Sequence, residues 1–292
     1  MEIRPLSPHV GAEVIGVDIS QPLPDDLFKT IDHAYNHYSV LVFRGQKLTP
    51  EQQIAFSRLF GELEVSPRTQ FALPGHPEIL VLSNIIIDGK PIGNADAGRT
   101  WHTDMSYMSQ VAYANVLYAI EVPVRDGKAL GPTQFQNMYM AYADLPPDFK
   151  EQYRDATVTF DFEKFNNYMI TVKGSQRGKT TSEQRAKRPP AKHPMFLRHP
   201  ITAQYSLYAN PGYAIAVDGL TETESDAVLD FLFEHQLQSK YSYTFDWTVG
   251  DVLMWDNLAT IHQAVDDYRP DERRHMRRCR IKADPAVAQV RA

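Results

Sequence analysis

Two hard metal ligands one residue apart, His102 and Asp104 in the run Trp101-His102-Thr103-Asp104, are the part of this chain best suited to chemistry. On an extended strand, residues i and i+2 share a face, so an imidazole and a carboxylate at this spacing aim at one point. They form two corners of a facial metal site that leaves three positions open on iron for a cosubstrate and oxygen. The third corner must come from elsewhere in the chain. His262 is the candidate, because the run from Met254 to His262 alternates apolar residues as a strand does. An isolated His-x-Asp pair arises often by chance and is by itself a weak signal.

A basic run, Arg273 to Ile281, follows His262 closely. Read with a period of two, Arg274, Met276, Arg278 and Arg280 share one face of a strand, while Arg273, His275, Arg277 and Cys279 share the other. An arginine turned into an apolar interior needs an anion, and a dicarboxylate that chelates iron at one end and meets a guanidinium fork at the other would supply it. The competing reading is a solvated basic strand edge. His33 and His37 stand one helical turn apart but have no further ligand nearby, so they read as helix surface. Trp101, Trp247 and Trp255 read as core packing.

The elements that must position these residues alternate between helix and strand without repeats or low-complexity blocks. Pro24-Asp25-Asp26 opens a helix reaching about Tyr38, with Leu27, Ile31 and Ala34 at helical spacing. Thr49-Pro50 reads as an N-cap with proline in the first helical position, leading into Ile54, Phe56 and Phe60. A third helix follows Asp218-Gly219-Leu220-Thr221, carrying Val228, Leu229, Leu232 and Phe233. Glu78–Ser83 and Asn115–Ile120 are strand-like runs. The stretch of about 160–194 includes the polar, cationic segment Lys173–Ser182 and reads as a lid-like loop.

The ordered run of these pieces resembles the taurine dioxygenase and 2,4-dichlorophenoxyacetate dioxygenase family of iron(II)- and 2-oxoglutarate-dependent oxygenases. Gly11–Asp18 is similar to that family's opening strand, Leu41-Val42-Phe43-Arg44-Gly45-Gln46 to the segment after it, and Gln52–Gly61 to its helix. The metal motif, Arg198-His199-Pro200, Leu207-Tyr208-Ala209-Asn210 and Gly250–Asn257 recur in the same order. The resemblance covers nearly the whole chain. It implies a mixed α+β fold with a double-stranded β-helix (jelly-roll) core flanked by helices, one domain over 1–292, and the 160–194 insertion lying over the active site.

For the site, the resemblance implies Fe(II) held by His102, Asp104 and His262, with O2 and 2-oxoglutarate as cosubstrates. It matches Arg278 to the arginine that takes the distal carboxylate of 2-oxoglutarate, Arg274 to its companion four residues earlier, and Thr133 to a threonine bonding the same carboxylate. The segment after Tyr268-Arg269-Pro270 is one residue longer than in taurine dioxygenase, which keeps Arg277 open as a rival to Arg278. Halogenating relatives lack the carboxylate of Asp104, so its presence points to hydroxylation. Substrate-facing positions do not carry over from taurine dioxygenase. Arg68 stands in Ser66-Pro67-Arg68-Thr69 where that enzyme has a histidine and a tyrosine, Gly98 replaces a polar contact, Phe165-Asn166 replaces a Ser-Phe pair, and Tyr213 keeps an aromatic. Taurine is thereby disfavoured. Arg68, Arg99 and Lys164 are the cations that could meet a small anionic substrate.

The expected activity is hydroxylation of an unactivated C–H bond with release of succinate and CO2. Desaturation or oxidative rearrangement in a natural-product pathway is one alternative, and a non-catalytic metal- or anion-binding barrel is the other. At 292 residues a single large domain is reasonable. A net charge of −6 and pI near 5.9 argue against nucleic acid as a partner. With Cys279 the only cysteine, no intrachain disulfide can form, and a reducing compartment fits. The N-terminal run lacks an apolar stretch after its charges, and no run approaches the ~20 apolar residues that span a bilayer. Cytoplasmic residence, no membrane partner and, from the resemblance, a homodimer or homotetramer are the corresponding expectations.

Overall fold

The computed structural model describes residues 1–65 and 69–284, so the Arg68 candidate lies outside the described residues. An eight-stranded sheet runs in the order Glu2–Pro5, Ala12–Ile15, Val40–Phe43, Val252–Asp256, Ala112–Glu121, His275–Lys282, His76–Ser83, Ala72–Leu73. Strands from both ends of the chain thus pair near its centre. A three-stranded sheet, Ser242–Phe245, Thr133–Asn137, Thr260–Ala264, supplies the other wall of the site.

Strand alternation divides the packing of the large sheet in two. Leu41, Phe43, Val116, Val252, Met254, Cys279 and Ile281 join one core cluster, together with Ile54 and Phe56 of the helix Pro50–Arg58 and Ile31 and Tyr35 of the helix Asp25–Tyr38. The intervening residues Val40, Val42, Leu117, Leu253, Trp255 and Met276 join a second cluster with Phe135, Phe245 and Trp247 of the smaller sheet and the segment after it. A period of two in sequence therefore becomes two apolar layers, one under helices and one between sheets. The site lies at the margin of the inter-sheet layer.

Helix boundaries follow the capping signals. Thr49 accepts from the Gln52 N–H while the Gln52 side chain reaches back to Thr49, and Thr221 and Glu224 do the same for Glu222–Gln236. Asp25–Tyr38 begins after Pro24 with two acids in its first turn. His33 and His37 are exposed on it, as helix surface.

The stretch 160–194 is not one loop. It carries the helices Phe162–Thr171 and Ser182–Ala186 and the strand Ala191–Pro194, with the longest irregular piece between the two helices. Asp161 caps the first helix through the Glu163 N–H at 2.9 Å, and Phe162, Phe165 and Met169 bury its apolar stripe. Thr181 and Gln184 form a capping box on the second. These local signals bound the polar run, which stays irregular over 173–181.

Candidate metal centre

His102 and His262 are joined backbone to backbone: each N–H donates to the other's carbonyl, at 3.0 and 2.8 Å. Directly opposed residues of an antiparallel pair project to the same side. The two imidazoles accordingly converge, with ring centroids 4.3 Å apart. The His-x-Asp motif itself is not a strand. Only His102 makes the bridge, and the chain turns at once through Asp104–Tyr107, with Met105 in the left-handed region at φ 64°. The His102 and Asp104 side chains still converge. One ligand atom from each of His102, Asp104 and His262 lies within 4.8 Å of the others, and all three residues are buried.

The donor set fits a divalent metal. His102 Nδ1 sits 2.7 Å from the Thr100 carbonyl, which orients the ring as a backbone acceptor orients a metal-bound imidazole. His102 Nε2 is 3.6 Å from Asp104 Oδ1. His262 Nδ1 is buried with no hydrogen-bond partner. Burial first, then the adjacent His102, push the His262 imidazole well below its ordinary value, so it is neutral and ligand-ready. Burial opposes ionisation of Asp104, but Arg278, His102 and Arg280 outweigh it and hold the carboxyl well below the usual range. Iron(II) or another oxygen- and nitrogen-preferring divalent ion suits two imidazoles and one carboxylate.

Beside this triad a cavity is lined by Leu82, Leu117, Thr133, Trp255, Arg274 and Arg278 as well as His102 and His262. Thr133 Oγ1 accepts from Trp247 Nε1 at 3.0 Å, so the hydroxyl proton remains free to donate into the cavity. Arg274 is pinned at its backbone by Asn84 Oδ1 to its N–H (2.8 Å) and by Ser83 Oγ to its carbonyl (2.9 Å). Its guanidinium is buried, and among the described residues no carboxylate pairs with it. Gly131 makes the room. At φ +70° a Cβ there would come within 3.1 Å of both Arg274 Nε and the Tyr268 ring.

The two arginines differ in their partners. Arg278 Nη1 donates to Asp104 Oδ2 at 2.9 Å, while Arg274 holds the uncommitted charge. Both lie on the face that the alternation assigns them, and the partners available along that face decide the difference. Arg280 shares it too, ion-paired to Glu64 and 3.8 Å from Asp104 Oδ1. Arg277 faces the opposite way, over the Tyr118 ring at 5.7 Å.

Phe165 and Tyr213 flank the His102 ring at 6.4 and 5.9 Å, and Gly98 stands against its edge, a Cβ there lying 3.4 Å from Cε1. The Asn166 amide turns away instead, donating to the Gly178 carbonyl and Thr180 Oγ1, because the helix carrying it places adjacent residues about 100° apart. Lys164 donates to the Ala214 carbonyl at 2.7 Å and stacks over Phe233, away from the site. Arg99 lines the cavity rim, 3.7 Å from Asp266.

Several residues gain their importance only from tertiary approach. Gly212 packs on the metal loop so closely that a Cβ would fall 2.8 Å from His102 Cβ and 2.9 Å from the Trp101 carbonyl. Asp96 binds the irregular segment after Phe162–Thr171: Arg177 meets it at 2.5 and 3.0 Å, and the Ser175 hydroxyl also donates to it. A glycine after a proline and an acid between two alanines carry no distinctive sequence signal.

A profile of the family described as taurine catabolism dioxygenase TauD, TfdA family, matches residues 2–280. Pentalenolactone F synthase of Streptomyces arenae is 33% identical over 297 residues, covering 98% of this chain and 97% of that protein. The alpha-ketoglutarate-dependent 2,4-dichlorophenoxyacetate dioxygenase of Cupriavidus pinatubonensis is 31% identical over 296 residues, 97% of this chain and 98% of its own. Among solved structures, a taurine dioxygenase from Burkholderia xenovorans superposes with a TM-score of 0.80 at 28% identity, covering 97% of this chain and 89% of that one. AAD-2 in complex with Mn(II) and N-oxalylglycine gives 0.81 at 27% identity, covering 97% and 98%.

Proposed function

The chain belongs to the TauD/TfdA dioxygenase family, and from that premise we propose that it oxidises a C–H bond of a small organic molecule at an iron(II) centre held by His102, Asp104 and His262. One atom of O2 enters the product and the other enters succinate, as 2-oxoglutarate loses CO2. The observation that carries this reading is a convergent two-His, one-carboxylate cluster opening on a cavity that holds a buried, unpaired arginine. Iron(II) when bound supplies oxygen activation.

The chain's own residues supply position and charge. Arg274 and Thr133 would take the distal carboxylate of 2-oxoglutarate, since a guanidinium buried without a carboxylate partner and a hydroxyl with its proton free are what that group requires. Arg278 steadies Asp104, leaving the other carboxylate oxygen for the metal. Phe165 and Tyr213 beside His102 support a substrate with an apolar body. For an anionic head group, Arg278 is the guanidinium nearest a metal ligand. The layer shared by the two sheets supports a double-stranded β-helix core, and pairing of strands from both chain ends supports one domain.

Incubation with Fe(II), ascorbate, 2-oxoglutarate and panels of carboxylates, sulfonates, phosphonates and their neutral analogues, read by mass spectrometry, tests this function. Succinate must form in step with an oxidised product; iron-loaded protein that makes none with any substrate or without one defeats the proposal. The relative named as a pentalenolactone synthase keeps a second outcome in view, in which the same cosubstrates end in desaturation or rearrangement. Product mass separates them, by oxygen gained or hydrogen lost.

Thr133→Val should raise the 2-oxoglutarate constant by roughly tenfold, the worth of a hydrogen bond to a charged group. An unchanged constant in steady-state kinetics would remove Thr133 from the site.

The segment between Thr171 and Ser182 would act as a lid, clasped at the cavity rim by Asp96 with Arg177 and Ser175, by Asp266 with Lys173 (3.4 Å), and from below by Asn166. Asp96→Asn weakens the bidentate pair. Tryptic cleavage after Lys173, Arg177 or Lys179 should then quicken several-fold, whereas cleavage at the wild-type rate would show that Asp96 is not the clasp.

A further inference from the structure

The ligands arrive on two separate pieces of chain, and a chain of buried polar groups ties those pieces together behind the metal site. Thr103 stands between His102 and Asp104, and while their side chains converge on one point its own bonds Asn257. It is 1% exposed, and its Oγ1 donates to the Asn257 carbonyl at 2.5 Å. Asn257 belongs to the turn between Val252–Asp256 and Thr260–Ala264, the second of which carries His262.

That turn is itself fixed from several directions. The Asn257 N–H donates to the Tyr113 carbonyl at 2.8 Å, and Asn257 Oδ1 accepts from Asn115 at 3.1 Å. Asp256 Oδ1 accepts from the N–H groups of Leu258 and Ala259 at 2.7 and 3.2 Å. Asp256 Oδ2 lies 3.0 Å from His199 Nε2, both side chains being at most 1% exposed. The tautomer of His199 follows from its other nitrogen. Nδ1 faces the N–H groups of Ile201 and Thr202, at 3.2 and 3.1 Å, so it accepts and the ring proton sits on Nε2, donating to Asp256. Asn257 Nδ2 and Asn115 Oδ1 are buried without a partner, but the bonds made by the Asn257 backbone, its Oδ1 and Asp256 hold the turn, since each partner displaced would be left unpaired in a low-dielectric interior.

We infer that Thr103 is a positioning residue for the metal centre: through Asn257, with the His199–Asp256 pair behind it, its hydroxyl sets the loop of His102 and Asp104 at a fixed distance from the hairpin of His262. The backbone bridge between His102 and His262 fixes the two imidazoles. Asp104 lies beyond that bridge in a turn, where Arg278 meets its carboxylate and Thr103 anchors the backbone that carries it. This assignment rests on the metal-centre reading above, and only the angular placement of the carboxylate is added to it. Groups behind first ligands ordinarily govern metal affinity to this degree.

Anaerobic titration of metal-free protein with Co(II), followed by visible absorption, tests it on wild type and on Thr103→Ser, Thr103→Ala and Thr103→Val, with thermal melting of each metal-free protein alongside. Ser and Ala both lose the methyl group and differ only in the hydroxyl. Val keeps the volume and loses only the hydroxyl. Ser should bind Co(II) close to wild type, while Ala and Val bind it roughly tenfold or more weakly, a loss larger than their loss of folded protein. Equal affinity for Ser, Ala and Val overturns the inference. So does failure of Ala and Val to fold, or a loss of affinity no larger than their loss of folded protein, since the hydroxyl would then serve stability alone. Wild-type protein that binds no Co(II) would defeat the metal centre itself, a result distinct from the other two.

Discussion

Asp104→Ala should abolish substrate oxidation and also destabilise the metal-free protein. As a ligand, Asp104 contributes the only anionic donor of the three, and its loss should cost turnover and Fe(II) affinity at least on the order of a hundredfold, the upper end of what outer-shell changes cost. As an ion-pair partner, it neutralises Arg278 at 2.9 Å and approaches Arg280 at 3.8 Å, with both guanidinium groups about one-tenth exposed. Arg280 keeps Glu64, but Arg278 is stranded. Removing one member of a buried pair costs about 3–5 kcal/mol, which denaturant unfolding of the metal-free variant would register. His262→Ala makes the contrast. It should abolish turnover equally, yet it removes an imidazole that burial already holds neutral and that pairs with no opposite charge at salt-bridge distance. If Asp104→Ala retained wild-type succinate formation and Fe(II) affinity, the triad would be wrong. If it were as stable without metal as wild type, the account of Arg278 would be wrong.

The sequence carries the site unevenly, and the physical reason differs from residue to residue. His102 and Asp104 are legible because two covalent steps of extended chain suffice to bring them together. His262 is legible only as a histidine on a strand; that its backbone pairs with His102 is a long-range fact without a local trace. The helices Asp25–Tyr38, Pro50–Arg58 and Glu222–Gln236 are legible because caps and apolar spacing are local interactions. Phe162–Thr171 has the same signals in Asp161, Phe162, Phe165 and Met169, but the adjoining polar run dominates the composition of its window. Asn166 shows the limit of reading by correspondence. It corresponds to a substrate-facing position of taurine dioxygenase, but here its amide turns to the clasped segment. Gly212 shows another limit, since its value lies in the atom that is missing and in the His102 Cβ and Trp101 carbonyl pressed against that space.

Arg274→Ala should produce the largest defect specific to 2-oxoglutarate. Alternation along His275–Lys282 and the residue before it places Arg274, Arg278 and Arg280 on one face, so sequence cannot choose among them. The choice comes from charge pairing. Arg278 and Arg280 already have Asp104 and Glu64, whereas Arg274 lies buried in the cavity with Thr133 and, among the described residues, has no carboxylate at ion-pair distance. Burial lowers its pKa, so the guanidinium is held at a cost that a bound carboxylate relieves. Losing one partner of such a bidentate, desolvated pair costs about 2–5 kcal/mol, or roughly thirtyfold and upward in the 2-oxoglutarate constant. The metal-free protein should tell the opposite story. Deleting a buried charge that lacks a partner should leave its melting temperature unchanged or raise it, whereas Arg278→Ala should lower it by stranding Asp104. Arg277→Ala, on the far face over Tyr118, should move neither quantity. A large 2-oxoglutarate defect in Arg278→Ala with Arg274→Ala near wild type would return the distal carboxylate to Arg278. The ion pair with Asp104 would then have to open whenever the cosubstrate binds.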